Sequence, residues 1–444
     1  MKTLRTAAAI VVLAAAARTE AFPAFARKYG MSCSACHVAW PIFNQEGQNF
    51  RDNGYQFGHG KDDPVQLSQA YTPFAIRITP AYQYTRVTNQ TADSGPVTVV
   101  TSGVPIPPGA DILTGGVVAK DISYLVVVSG FGEDGTASLE SAWARLDNLG
   151  GSRWANLRIG KFELDEPASA HRNVTLTYGY AAYGAHPAGS VVPFDMGENQ
   201  VGVELDGHDA RSTTRYSLSF TSVNGGEGLS KNGWSSPMVY GHVQQSVELG
   251  NGFLPWIRVG ALGAVGWWPT KFETATDADG TPQPIPGTGR DHEKFYRAGA
   301  ELSWMLGYPA TPALFTVAYL HGHEPAGLAE TDPGTGEDLS GSSNSFNGGF
   351  IEVDWVPFSV SSYTATPWLF FARYDLVRFR RGSGDTDGGT LGIRRYLALG
   401  PRASAGIHLE GHLDRVRKAG FVDTNGIARD VQTRAALAGI DFDF

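Results

Sequence analysis

Cysteine occurs only twice in the 444 residues, at Cys33 and Cys36. A framework of several disulfides is therefore excluded, and both thiols fall inside one short window. Long apolar runs are equally scarce. The longest, Ala7 to Ala17, follows Lys2 and Arg5 and ends before Arg18, Thr19, Glu20 and Ala21. That is short of the roughly 17–25 apolar residues of a membrane-spanning helix. It has instead the layout of a secretory signal peptide covering residues 1–21, cleaved after Ala21, and export places the chain in the cell envelope or beyond. No later segment is apolar for long enough to be a spanning helix, so entry into a membrane requires a closed β-barrel. Basic residues are in deficit, 35 against 44 acidic ones, and loss of residues 1–21 moves the net charge from −9 to about −11. This argues against nucleic acid as a partner and weakly for cations.

What is present points to strands. Glycine numbers 55, tryptophan 10, tyrosine 17 and phenylalanine 23, and the mean hydropathy is −0.18. Such a composition suits many strands with one polar and one apolar face. From Thr72 onward the sequence runs in stretches of about ten residues separated by Gly, Pro, Asp and Asn. In Arg215–Thr221 the residues Tyr216, Leu218 and Phe220 share one face and Arg215, Ser217, Ser219 and Thr221 the other. In Ile351–Trp355, Ile351, Val353 and Trp355 oppose Glu352 and Asp354. In Ile407–Leu413 the polar face carries His408, Glu410 and His412, continuing to Asp414. A half-buried soluble strand alternates too, but here charged groups recur on the second face in runs long enough to cross a bilayer.

Strands are expected at 72–88, 110–119, 122–132, 137–148, 153–164, 197–206, 212–223, 237–250, 255–268, 292–306, 311–321, 347–357, 363–374, 389–399, 403–414 and 431–444. These make sixteen, an even number as single-chain outer-membrane barrels require. The stretches 89–109, 273–291 and 324–346 are expected as extracellular loops, and 120–121 and 400–402 as periplasmic turns. In the last run Ala436, Ala438, Ile440, Phe442 and Phe444 share a face opposite Gly439, Asp441 and Asp443. An alternating strand ending on an aromatic residue resembles the C-terminal assembly signal of bacterial outer-membrane barrels. The expected fold is thus all-β: an outer-membrane β-barrel over 72–444, preceded by a short helical or looped segment over 22–71.

That segment carries the chemistry. Cys33-Ser34-Ala35-Cys36-His37 has the spacing by which two thiols add to the vinyl groups of one haem c while the adjacent imidazole takes the proximal iron position. A structural disulfide or a redox-active Cys-x-x-Cys pair are the other uses, but no βαβ pattern of the thioredoxin kind surrounds the motif. Trp40, Phe43, Phe50, Tyr55 and Phe57 could cover a macrocycle, and Arg27 or Lys28 could pair with its propionates. Each could equally be part of a small core. A segment of this length is short for a self-sufficient haem domain, so the haem is expected to draw burial from the barrel, as a plug in or under its lumen. For the distal iron ligand the sequence offers His59, in Gly58-His59-Gly60, and Met196, while Met31 lies too close to the attachment site to wrap round. The row His408, Glu410, His412, Asp414 and the pair His321 and His323 are possible cation sites, though lumenal polarity accounts for the former as well.

Phe25-Ala26-Arg27-Lys28-Tyr29-Gly30, then Cys-x-x-Cys-His, then Phe50-Arg51-Asp52-Asn53-Gly54-Tyr55, ahead of a barrel ending on Phe444, resembles the fused monohaem cytochrome-porins of bacterial outer membranes. The resemblance implies an electron conduit between an extracellular donor or acceptor, iron among them, and a periplasmic c-type cytochrome. It also implies thioether bonds from Cys33 and Cys36 and proximal ligation by His37. Some relatives are iron(II)-oxidising cytochromes, which usually have proline before the first cysteine and two alanines between the pair. Ser32, Ser34 and Ala35 stand there in this chain, which leaves the redox substrate open. The other function considered is a solute or ion porin with a structural or sensory haem.

Overall fold

The computed structural model describes residues 23–31, 33–57, 62–64, 73–92, 95–104, 109–131, 137–176, 179–187, 190, 192–223, 236–250, 252–271, 273–276, 282–284, 290–325, 343–357, 368–399, 404–420, 422 and 428–443. The expected signal peptide and Phe444 lie outside the described residues. Sixteen antiparallel strands close into a barrel. They are β1 (Phe74–Thr79 and Ala81–Ala92), β2 (Gly95–Gly103 and Gly109–Ala119), β3 (Ile122–Phe131), β4 (Ala137–Leu146), β5 (Asn156–Phe162), β6 (Gln200–His208), β7 (Thr214–Ser222) and β8 (Pro237–Glu248). Then follow β9 (Trp256–Lys271), β10 (Arg290–Leu306), β11 (Ala313–Glu324), β12 (Asn344–Trp355), β13 (Trp368–Phe379), β14 (Thr386–Leu399), β15 (Ser404–Val416) and β16 (Val431–Asp443). The barrel closes where β16 pairs with β1, Ala436 opposite Tyr84 and Phe442 opposite Ile78. Pro80 interrupts β1 because it has no N–H to give the ladder, yet its carbonyl still accepts from Ile440 N at 2.9 Å.

Closure satisfies every strand edge, and the alternation then sorts side chains between lipid and lumen. Arg215, Ser217, Ser219 and Thr221 are buried inside while Leu218 and Phe220 are exposed outside. Likewise Glu352 and Asp354 face in and Ile351 and Trp355 face out, and His408, Glu410 and His412 face in between Ile407, Leu409 and Leu413. In β16, Ala436, Ala438, Ile440 and Phe442 point outward as expected. Aromatic rings collect at both rims. Trp304 stacks on Phe315 at 5.0 Å and Trp355 lies 5.7 Å from Phe370 near one end, and Tyr296 stacks on His323 at 5.2 Å near the other. An apolar outer band between aromatic girdles is the surface of a transmembrane barrel of the bacterial outer membrane.

This surface predicts a depth-dependent cost. Leu409, 48% exposed near the middle of β15, replaced by Arg, is expected to lose about 2–4 kcal/mol of folding free energy. Urea titration of the barrel refolded into bilayers would measure it.

One expectation about the connections is corrected. The stretch 89–109 is not a loop: β1 runs to Ala92 and β2 begins at Gly95, paired from Ala92 opposite Gly95 to Gln83 opposite Gly103. Between β5 and β6, the described residues of 163–199 form a long connection that folds into the lumen, and the strand pattern alone did not anticipate it. Within 273–291, Thr274–Thr276 and Pro282–Pro284 form a small hairpin. Lys120-Asp121 is a tight turn, with Asp121 at φ 59°. The expected turn 400–402 and most of 324–346 lie outside the described residues.

Candidate functional site

The segment that carries the cysteines folds from local signals. Helix α1 (Pro23–Tyr29) begins on proline, whose missing N–H costs nothing at a helix start. Cys33–Ala35 makes one 3-10 turn, His37–Ala39 pairs with Ile42–Phe43, and helix α2 (Gln45–Asp52) follows. Asn44 caps α2 by accepting from Gly47 N at 2.9 Å, while its own backbone N–H donates to the Cys36 carbonyl at 3.0 Å and its Nδ2 to the Ala35 carbonyl at 3.1 Å. Gly47 is required by closeness: a Cβ there would meet the Cys36 carbonyl oxygen at 2.1 Å. The helix start is thereby pinned to the Cys-x-x-Cys-His motif. Aromatic contacts complete the unit, with Phe25 on Tyr55 at 4.6 Å, Phe50 on Phe57 at 4.6 Å and Tyr29 edge-on to Phe57 at 4.9 Å.

This unit sits inside the barrel at the end bearing the short turns. The Trp40 carbonyl accepts from Tyr396 Oη and, at 3.3 Å, from Arg394 Nη1, both on β14. The Asp52 carbonyl accepts from Arg145 Nη2 on β4, and its carboxylate lies 3.3 Å from Arg215 Nε on β7. Tyr55 stacks toward Trp143 of β4 at 6.0 Å. Ala39 and Ile42 pack with Leu369, Phe371 and Tyr396 of the wall and Val174 of the inner connection.

Beside the motif lies a cavity of about 400 Å³, within the ordinary range of ligand sites. Cys36 and His37 line it from the plug, and so do Trp40, Phe43, Phe50, Tyr55 and Phe57, the aromatic residues singled out from the sequence. Its other walls are charged: Arg145, Arg158, Arg215 and Arg258 from strands, and Glu163, Asp165 and Arg172 from the inner connection. His37 stacks on Phe43 at 4.7 Å and meets Trp40 edge-on at 5.2 Å. Burial brings its pKa down to about 4, with the backbone of Pro41 and Ile42 pulling the other way, so the imidazole is neutral and its lone pair is free to bind a metal. Burial, with Glu46 adding to it, pushes the Cys36 thiol up to about 11.

The inner connection is fixed by ion pairs and hydrogen bonds. Asp165 is held between Arg215 and His242, with His242 Nδ1 at 2.9 Å, and Arg51 of α2 stands 3.9 Å away. Burial works against its charge, but Arg215 and the His242 hydrogen bond outweigh it and hold the carboxyl well below the usual range. Further along, Leu176 N donates to Glu410 at 2.6 Å, Tyr180 Oη to Glu352 at 3.1 Å, and Arg373 Nη2 to the Gly179 carbonyl at 2.7 Å. Tyr180, Tyr183 and Phe194 form the aromatic core of this connection against the wall.

Several expected site residues fall elsewhere. His59 lies outside the described residues. Met196 belongs to the inner connection rather than a strand, where it is buried in the aromatic core and does not line the cavity. Arg27 and Lys28 do not line it either; Arg27 donates to the Phe74 carbonyl and Lys28 lies over the Tyr29 ring. The arginines that line the cavity come instead from the barrel wall, from Arg172 of the inner connection and from Arg51 of α2. His408, Glu410 and His412 are lumenal as expected, but Glu410 already bonds His412 at 2.8 Å, and among the described residues no metal-binding cluster is found. His321 and His323 face outward beside Tyr296, in the aromatic girdle. The arginine rows and the inner connection were missed from sequence. A single arginine on the polar face of each of several alternating runs, and the unpatterned gap between two strands, were the signals that carried them.

No protein-family model matches this chain, and no curated protein matches it. Solved structures of similar shape include in-vitro folded OmpT of Vibrio cholerae, at 11% identity, covering 86% of this chain and 100% of that one with a TM-score of 0.46. OprB of Pseudomonas putida follows at 10% identity, 83% and 94% coverage and 0.49. An anion-selective porin from Comamonas acidovorans has 10% identity, 84% and 100% coverage and 0.49. The barrel assignment rests on this chain's own strand registers.

Proposed function

We propose that this porin-like outer-membrane barrel carries one haem c, bound through thioethers to Cys33 and Cys36 with His37 as the proximal ligand, and transfers electrons. The observation that carries the reading is the cavity at the motif: it is walled by aromatic side chains, and the histidine that follows the cysteines lines it beside them. The arginines that line the same cavity would provide countercharge for propionates. The residues therefore fit the group. When bound, haem c supplies one-electron exchange between ferric and ferrous iron. The protein's part is to exclude lipid, to orient the imidazole through the plug, and to hold the plug on Arg145, Arg215 and Arg394. One haem cannot alone carry charge across a roughly 30 Å hydrocarbon core, so a periplasmic c-type cytochrome on one side and an extracellular donor or acceptor, iron included, on the other are its partners.

A second reading, a solute or ion porin with a structural or sensory haem, is favoured by the inner connection, whose Glu163, Asp165 and Arg172 line the same cavity as the wall arginines. The two readings separate on function. Electron transfer predicts that haem in intact cells is re-oxidised by a membrane-impermeant acceptor while the purified barrel conducts little in planar bilayers. Steady ion or sugar flux with haem redox-silent toward external reagents would establish the porin instead.

A further inference from the structure

We infer that His208 would supply a second protein ligand to the haem iron, from the barrel wall. This rests on the haem-carrying reading above. His208 ends β6, is buried, and lines from the barrel wall the same cavity that Cys36 and His37 line from the plug. Its register partner on β7 is Arg215, the residue that grips the Asp52 carboxylate at the end of α2. The plug is therefore docked at the very strand pair that presents this imidazole.

The orientation of the ring supports ligation. His208 Nδ1 lies 2.8 Å from the Asp209 carbonyl oxygen, with Ser212 Oγ at 3.4 Å. A carbonyl oxygen only accepts, so Nδ1 carries the proton and the lone pair is left on Nε2. No hydrogen bond to Nε2 is found among the described residues. Metal-ligating histidines are oriented in this manner, with the distal nitrogen proton given to a backbone carbonyl.

The other lumenal imidazoles are committed or placed elsewhere. His242 lies between Asp165 at 2.9 Å and Glu301 at 3.4 Å. His408 contacts Arg394 and Glu410, and His412 contacts Thr390 and Glu410. His186 bonds Glu324 at 2.8 Å. His171 opens on a different cavity, with Asn173, Leu176 and Asp441. Met31 lines the main cavity but stands only two residues before the first cysteine.

The test is the ferric spin state of the purified full-length protein by electron paramagnetic resonance and absorption, with covalent haem measured in parallel. The wild type is expected to be low spin, and His208→Ala to be high spin with low spin restored by added imidazole. His59→Ala and Met31→Ala are expected to stay low spin. Because an alanine at a strand end can disturb assembly, His208→Met is the companion: it should remain six-coordinate and shift the midpoint potential upward, since methionine favours ferrous iron relative to histidine. Low spin retained in His208→Ala, an unshifted potential in His208→Met, or a high-spin wild type overturns the assignment. Absence of covalent haem from the wild type overturns the proposed function itself, a distinct result from haem that is present but indifferent to position 208.

Discussion

Replacing Cys33 and Cys36 together with alanine is expected to abolish covalent haem: the haem-peroxidase stain of the denatured chain should vanish while the barrel still reaches the outer membrane. The first half follows from the chemistry, because no other cysteine exists in the sequence to form a thioether. The second follows from how the plug is held. Its attachments run through the Trp40 carbonyl to β14, through Asp52 to Arg145 and Arg215, and through Tyr55 stacked toward Trp143 of β4. None of these uses the Cys36 thiol. Each single replacement should leave one thioether and a weaker stain, and His37→Ala should keep the stain but change the ferric spectrum. Covalent haem surviving in the double variant would remove the basis of the proposed function.

The barrel was legible because two solvents write on its strands. Lipid outside and charge inside force an alternation at 215–221, 351–355 and 407–413 that a sequence displays directly. Residues 95–103 escaped for the same reason in reverse: there nearly every side chain is exposed on both faces, so no alternation marks the strand, and backbone pairing such as Val99 opposite Val87 holds it. The inner connection was illegible on other grounds. It is neither helix nor strand, and its partners are distant in sequence, Leu176 with Glu410 and Tyr180 with Glu352. Only the closed barrel brings them together.

The site divides along the same line. Cys33, Cys36 and His37 declare themselves because the chemistry demands neighbours in sequence, and the aromatic residues of the plug lie within twenty residues of them. The countercharges and His208 do not, because what makes them part of the site is the cavity. An arginine on a polar strand face looks like any lumenal arginine until α2 is seen against Arg215, and a histidine ending a strand looks like a turn residue until its Nδ1 is seen on the Asp209 carbonyl.

Asp165→Asn is expected to undock the inner connection, seen as a lower urea midpoint and a larger, noisier conductance in planar bilayers. Asp165 joins three parts of the molecule: Arg215 on β7, His242 on β8 and Arg51 of the plug. Asparagine keeps the shape and removes the charge, which leaves Arg215 and His242 with one carboxylate fewer in a buried setting. Breaking one partner of such a pair costs about 3–5 kcal/mol, and the lower end applies here because Arg215 retains Asp52 at 3.3 Å and His242 retains Glu301 at 3.4 Å. The carboxyl of Asp165 is held well below its ordinary pKa by Arg215 and His242 against the opposing effect of burial. A depressed carboxylate contributes stability that is complete above its unfolded pKa, near 4, and is lost only as pH falls through the lower folded value. The docking contributed by the Asp165 carboxylate should therefore be undiminished down to about pH 5, and mild acid should not reproduce the substitution. If Asp165→Asn matches wild type in both midpoint and conductance, the connection is held by Leu176, Tyr180 and Gly179 alone, and Asp165 is no latch.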